Sequence, residues 1–292
     1  MKKICVIGGM NFSMLSKLDG NLEQDSSLSG DISTRFGGVA WNIASALAKY
    51  PQHKINFITV LSSDIIGCEA VKLLTNSGVG YKDSLFTETW HSFYCDIHSN
   101  RFHYGINDMR IFSLLSPEWI MQKKNIIEQN DILIIDANLD IQTIEYITKN
   151  IKIPIYCDAT SIEKCQRIKS VFSDIAAIKF NKKEFCTFFE VSESALYSDE
   201  KVECILRQSN ANTVIITIEK DGSMIFKNKK LTRFQTKNII NAVNTLQAGD
   251  IFFATCVTKL LTGEDDISVL VAASSSAEKR IMKNNSHKLE IK

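Results

Sequence analysis

The chain has 292 residues, 45% of them hydrophobic and 23% charged, the balance of a globular protein long enough to bury one large core. A formal net charge of +1 gives no electrostatic footing for nucleic acid or an anionic membrane surface, so neither is expected as a partner. Eight cysteines, at 5, 68, 95, 157, 165, 186, 204 and 256, form no C-x-x-C pair, and the five histidines share no ligand spacing with them; a disulfide frame and a zinc site are both disfavoured.

The opening Met1-Lys2-Lys3 and the apolar residues after it have the outline of a signal peptide, but the apolar run stops at Gly8-Gly9, too short for a secretory core. No later stretch reaches membrane-spanning length without charge. The expectation is a soluble, cytoplasmic protein with reduced thiols.

In chain order, Ile4-Cys5-Val6-Ile7 predicts a buried strand ending in a tight turn at Gly8-Gly9. Residues 12–36 are polar, serine-rich and punctuated by glycine, and read as a loop or as short strands of a flap outside the core. Gly37-Gly38 opens a helix that lines up Val39, Ile43, Ala46, Leu47 and Tyr50. Paired glycines at such a place let backbone approach a ligand, or simply make a turn. Residues 55–61 predict a second strand and 65–77 a helix closed by Gly78. The stretch 84–106, with Trp90, Phe93, Tyr94, Phe102 and Tyr104, alternates like strands with one wet face. Together with 12–36 it predicts a small β-lid against the main sheet. Ser116-Pro117-Glu118 starts another helix, with a serine cap and proline in the first turn.

Apolar strand-like runs at 132–135, 153–157, 176–179 and 213–217 then alternate with amphipathic helices. That alternation predicts an α/β fold, a parallel sheet with helices on both faces, whose ligands bind beyond the carboxyl ends of the strands. Asp136, Asn138, Asp158, Asn181, Thr217 and Glu219 stand at those ends. The tail from 283 to 288 is polar and reads as frayed.

The segment Asn244-Thr245-Leu246-Gln247-Ala248-Gly249-Asp250 precedes an apolar run at 251–257. A small-residue turn entering a helix exposes free backbone N–H groups at the positive end of a helix dipole, a natural anion site. Asp250 in the first turn is placed either to charge the helix end or to take a proton from an attacking hydroxyl. These parts point toward phosphoryl transfer.

Two stretches carry a family resemblance over nearly the whole chain. Gly37-Gly38-Val39-Ala40-Trp41-Asn42-Ile43-Ala44 and the segment from Asn244 to Asp250, similar to D-T-x-G-A-G-D, resemble the ribokinase-like (PfkB) carbohydrate and nucleoside kinases. Within that family the likeness is greatest to the kinases of pseudouridine, through Ile106-Asn107-Asp108-Met109, Asp136-Ala137-Asn138, 158–165 and Lys179-Phe180-Asn181-Lys182-Lys183-Glu184. The resemblance implies one ribokinase-like domain over 1–292: a parallel sheet sandwiched by helices, with a β-lid from about 12–36 and 84–106. It implies ATP with Mg²⁺, a small-molecule sugar or nucleoside acceptor phosphorylated on a hydroxymethyl group, and leaves open a lid-mediated homodimer and a monovalent cation near 244–250.

Residue by residue, the resemblance makes Asp250 the catalytic base, with Gln247, Ala248 and Gly249 in the anion-hole turn. It assigns Asn11, Ser13, Gly37, Gly38, Asn42, Asn107, Asp108 and Asn138 to the acceptor. Asn181, Glu184, Thr217 and Glu219 fall to the nucleotide, with Glu184 also organising the metal. On spacing alone Asn181 and Glu184 equally make a helix cap with its acid partner. Likewise Asn42 would be plain surface, and Asp108 a turn residue.

Four positions depart from the family pattern. Ser13 stands where an aspartate usually holds ribose hydroxyls, giving up a charge-assisted bond. Asn244 replaces the signature's first aspartate, and Gln247 its first glycine, which adds a side chain beside the phosphate path. Thr217-Ile218-Glu219 ends in glutamate where glycine is usual, a charge that repels phosphates unless a lysine or metal compensates. Such departures fit a kinase with shifted preferences, or alternatively a weakly active or non-catalytic ligand-binding relative.

Overall fold

A computed structural model describes residues 1–18, 20, 27–88, 92–98, 103–236 and 245–286. In chain order, β1 (Lys2–Ile7), β2 (Asn11–Leu18) and β3 (Gly30–Gly37) lead to α1 (Val39–Leu47), β4 (His53–Ile58) and β5 (Val60–Ser62). Then follow α2 (Ile65–Asn76), β6 (Leu85–Thr87), β7 (Phe93–His98), β8 (His103–Asp108), α3 (Pro117–Ile127), β9 (Ile132–Asp136), α4 (Ile141–Asn150) and β10 (Ile155–Asp158). After a 3₁₀ segment, Lys164–Asp174, come β11 (Ala177–Asn181), α5 (Lys182–Phe189), α6 (Asp199–Gln208) and β12 (Thr213–Thr217). The chain closes with β13 (Ser223–Lys227), β14 (Lys230–Phe234), α7 (Ala248–Leu261) and α8 (Asp266–Ser286).

The strand runs are continuously apolar because both faces of the main sheet are covered. In β1, Cys5 and Ile7 join one core and Ile4 and Val6 the other; β9 divides the same way, Leu133 and Ile135 against Ile132 and Ile134. Residues of α3 to α6 pack into the first core, those of α1, α2, α7 and α8 into the second. Helix ends follow local chemistry. Asp64 accepts from Gly67 N–H at 3.0 Å to start α2, Gly78 at φ +67° ends it, and Ser116 caps α3.

The eight-stranded sheet runs β14-β13-β12-β11-β10-β9-β1-β4. It is parallel from β4 to β12, but β13 and β14 are antiparallel, a hairpin that the parallel expectation did not contain. Asn228 and Lys229, both at positive φ, make its two-residue turn. The strand expected over 55–61 is in fact two. Thr59 gives its N–H to Ser84 Oγ and its carbonyl to Leu85 N–H, so Val60–Ser62 leaves the main sheet and pairs with β6.

A second, four-stranded sheet runs β3-β2-β7-β8. It gathers strands from both stretches expected to form a lid, while Leu85–Thr87 stays with β5. Trp90, Phe102, Asn244 and the end of the polar tail lie outside the described residues. Among the described residues no helix is long and apolar enough to cross a membrane.

Candidate active site

The carboxyl ends of β1, β9, β10 and β11 deliver Gly8-Gly9, Asp136, Asp158 and Asn181 to one edge of the main sheet. Asp136 organises this edge. Its carboxylate is fully buried and accepts N–H bonds from Gly9 (3.1 Å), Ala40 (3.0 Å) and Asn138 (3.0 Å). It thereby ties the β1 turn, the start of α1 and the β9 turn together. Burial pushes its pKa up, and those bonds work against the rise.

Above this edge lies a cavity of about 230 Å³. Of the residues singled out in the sequence, Asn11, Ser13, Gly37, Gly38, Asn42, Asn107, Asn138, Gln247 and Asp250 line it. Its roof is a row across the small sheet. Arg35, Ser13, Tyr94 and Asn107 are successive cross-strand partners on β3, β2, β7 and β8, and all four face the cavity. Ser13 takes a bond from Asn11 Nδ2 at 2.8 Å.

Asp108 does not join this row. Strand alternation turns it away from Asn107, and it lies half-buried in a bidentate pair with Arg110, at 2.9 and 2.6 Å, which holds its pKa down to about 2.

Asp250 stands in the first turn of α7. It accepts from Asn42 Nδ2 at 2.7 Å, so Asn42 is a buried site residue and not the plain surface its helix position suggested. Gln247, in the left-handed conformation at φ +67°, donates through Nε2 to Asn42 Oδ1 at 2.6 Å and accepts from Arg280 on α8. Desolvation is the largest influence on Asp250 and Asp158 the next; Lys179 and the Asn42 bond oppose them, and the pKa is pushed up to about 7.

Lys179, at the end of the strand run expected over 176–179, is buried beside this turn. Its Nζ lies 3.1 Å from Asp158. Burial works against its charge, but Asp158, Glu184 and Asp250 outweigh burial and hold the ammonium above its ordinary value. A Cβ added to Gly249 would sit 3.3 Å from Lys179 Nζ, so glycine backbone and ammonium frame one small space. A lysine inside the apolar run Ile178-Lys179-Phe180 was the signal that could have found it.

The residues expected at the nucleotide cluster on the next two strands and do not line the cavity. Asn181 and Thr217 are register partners on β11 and β12. Asn181 caps α5 by accepting from Glu184 N–H at 2.9 Å, while Glu184 Oε2 accepts from Asn181 N–H at 2.7 Å. The pair is therefore a full capping box. Glu184 is buried, which pushes its pKa up against the pull of Lys179. Glu219 is exposed at φ +47°, a conformation suited to glycine, and its charge falls near the Lys182 ammonium, which pairs with Glu193 at 2.9 Å.

Two further cations went unremarked in the sequence. Lys164 lines the cavity and donates to Asn138 Oδ1 at 2.5 Å, its pKa lowered by burial. Arg35 has a buried Nε without a hydrogen-bond partner among the described residues.

Known proteins share this fold and part of this sequence. The chain is 24% identical over 255 residues to pseudouridine kinase of Escherichia coli K12, covering 86% of this chain and 81% of that enzyme. Its fold is similar to ribokinase from Thermotoga maritima, with a TM-score of 0.81 at 18% identity over 95% of this chain and 92% of that one. It is also similar to Arabidopsis thaliana ribokinase complexed with ribose and ATP, with a TM-score of 0.78 at 16% identity over 94% and 91% of the two chains. The model of the pfkB family carbohydrate kinases matches residues 1–287. The chain thus belongs to the pfkB family of carbohydrate kinases, phosphotransferases that act on a hydroxyl group of a sugar or nucleoside with ATP as donor.

Proposed function

We propose that this kinase phosphorylates the 5′-hydroxymethyl group of a nucleoside, with pseudouridine as the acceptor and a free sugar as the alternative within the same reaction class. The observation that carries the reading is Asp250, a carboxylate in the first turn of α7 that opens on a cavity whose other polar side chains are amides, hydroxyls and cations. The likeness to pseudouridine kinase supports the choice of acceptor.

In this reading Asn11, Ser13, Gly38, Asn42 and Asn138 hold the sugar. The roof row of Arg35, Tyr94 and Asn107 faces the base, and the small sheet acts as a lid that excludes water. Asp250 takes the proton from the hydroxyl as it attacks, a role suited to a carboxylate poised near neutrality. The donor set around Gly249 and Lys179 fits a phosphoryl group: backbone N–H groups at the start of α7, of which Ala248's is held by Thr245 O, no intervening side chain and a buried ammonium.

Bound ATP supplies the phosphoryl group and Mg²⁺ neutralises its charge. Asn181, Thr217 and Glu219 would flank the nucleotide. Glu184 would serve the metal, its Oε2 engaged in the cap and its Oε1 without a hydrogen bond among the described residues. Lys182 offsets the charge that Glu219 brings to this side.

The test is ADP release from ATP·Mg²⁺ with pseudouridine, uridine, adenosine and ribose, for wild type and Asp250→Asn. Turnover with pseudouridine, lost in the variant, is the expected result. No turnover above the variant with any acceptor overturns the reading. Nucleoside binding in a thermal-shift assay with no response to ATP·Mg²⁺ would then mark a ligand-binding relative.

A further inference from the structure

Resting on the reading of Asp250 as the base, we infer that Arg280 and Gln247 are positioning residues: they orient the Asn42 amide so that its donor end faces Asp250, and thereby hold Asp250 in its proton-accepting form.

The argument rests on which atoms can donate. A guanidinium donates and never accepts. Arg280 therefore faces the oxygen of the Gln247 amide, and the nitrogen end of that amide is turned toward Asn42. Asn42 must answer a donor with its own oxygen, which leaves its Nδ2 pointing at Asp250. Two amides, each with one donor end and one acceptor end, are thus set in direction by one cation at the end of the chain. Freed from Arg280, both amides could turn over, and Asn42 would present an oxygen that only a protonated carboxyl can satisfy.

The rest of the site leaves this direction in control. From β11 Lys179 favours the ionised carboxylate, whereas Asp158 on β10 and Asp136 on β9 disfavour it; α1 contributes the Asn42 donor. With Asp250 balanced near neutrality, one hydrogen bond's direction decides how much base is present. Arg280 suits the task. It forms no ion pair among the described residues, and its Nε is buried without a partner, so no carboxylate competes with Gln247 for its charge. Asn284, one turn further along α8, donates to Leu246 O at 2.9 Å and fixes the same turn to the same helix. Gln247 stands where the resemblance puts a glycine, so the chain of amides depends on a side chain that a glycine there would not supply.

The test reads Asp250 directly, by ¹³C NMR titration of its carboxyl carbon, assigned as the resonance missing from Asp250→Asn. Arg280→Met and Gln247→Met are each expected to raise its pKa by about one unit, a roughly tenfold change in the protonation equilibrium. The double variant should go no further, because both changes break one chain of bonds. Arg280→Lys, which keeps a donor-only head group, should restore the wild-type value. The acidic limb of kcat should move in step, with KM for ATP unchanged. An unmoved titration in Gln247→Met overturns the inference even if Arg280→Met shifts, because charge alone would then be acting through space. Additive shifts in the double variant overturn it as well. Gln247→Met keeps the test decisive if Arg280→Met fails to fold. Because the titration needs no turnover, failure of the kinase reading and failure of this inference are distinguishable.

Discussion

Asn42 and Asp250, 208 residues apart in the chain, meet at 2.7 Å. Each stands near the start of a helix, Asn42 on α1 and Asp250 on α7, and these two helices pack against each other on one face of the sheet. Their positive ends converge on the cavity, where an incoming negative charge is favoured. The contact thus joins an amide that lines the cavity to the group proposed as base.

Replacing that base should separate chemistry from binding. Asp250→Asn keeps a side chain of the same shape beside Asn42 but cannot take a proton. We expect kcat to fall by about 10²–10⁴, the usual worth of a general base. Acceptor affinity, read by calorimetry, should stay within about tenfold because the hydrogen-bonding shape survives.

The same variant should be more stable than wild type in alkaline solution. The folded-state pKa of Asp250 is raised to about 7, above its unfolded value of 3.8, so the folded state binds more protons between those values. Stability attached to this group therefore falls as pH rises through that window. Urea unfolding should show Asp250→Asn ahead of wild type at pH 8, with the gap narrowing as pH drops toward 4.

Lys179 should be costly to remove. Lys179→Met leaves Asp158 buried without its partner, and breaking one side of such a pair costs about 3–5 kcal/mol. Adding Asp158→Asn removes the stranded charge, so the double variant should recover much of the loss in urea unfolding. Activity should not return with it, because the ammonium beside Gly249 is still missing.

The roof row bears on which base is accepted. Arg35 is a donor without acceptor atoms, and a base with two carbonyl oxygens answers it better than adenine does. Uracil nucleosides should therefore outrank adenosine in kcat/KM. Arg35→Ala should raise KM for the acceptor by about tenfold or more, the worth of a bond to a charged donor, with KM for ATP unchanged.

Gly38 is fixed by the backbone on both sides. Its φ is +106°, and an added Cβ would stand 2.4 Å from the Gly9 carbonyl oxygen. Gly38→Ala should displace the start of α1, and Asn42 with it. The expected loss is about 2 kcal/mol or more in chemical unfolding, with acceptor binding weakened in the same variant.

Much of the architecture was legible because it is local. Apolar runs at 4–7, 132–135 and 213–217, the serine cap at Ser116 and the glycine stop at Gly78 are set by neighbours within a few residues, and each produced its element. The turn from Gln247 to Asp250 and the cap of Asn181 with Glu184 were legible for the same reason. The hairpin of β13 and β14 was signalled only by its Asn228-Lys229 turn, and the break at Thr59 had no sequence mark, because its partners come from residues 84 and 85.

The sequence by itself determined the alternation of strands and helices, and with it an edge of strand ends bearing Asp136, Asp158 and Asn181. Only the tertiary structure decided that Asn42 would face inward, that Asp108 would turn away from Asn107, and that Lys179 and Arg280 would reach the turn around Gly249 and Gln247. Periodicity says which side of an element is apolar. It does not say which polar residue of one helix meets which residue of another, because that depends on how α1, α7 and α8 dock on the same sheet, and docking is settled by the packing of a core drawn from the whole chain.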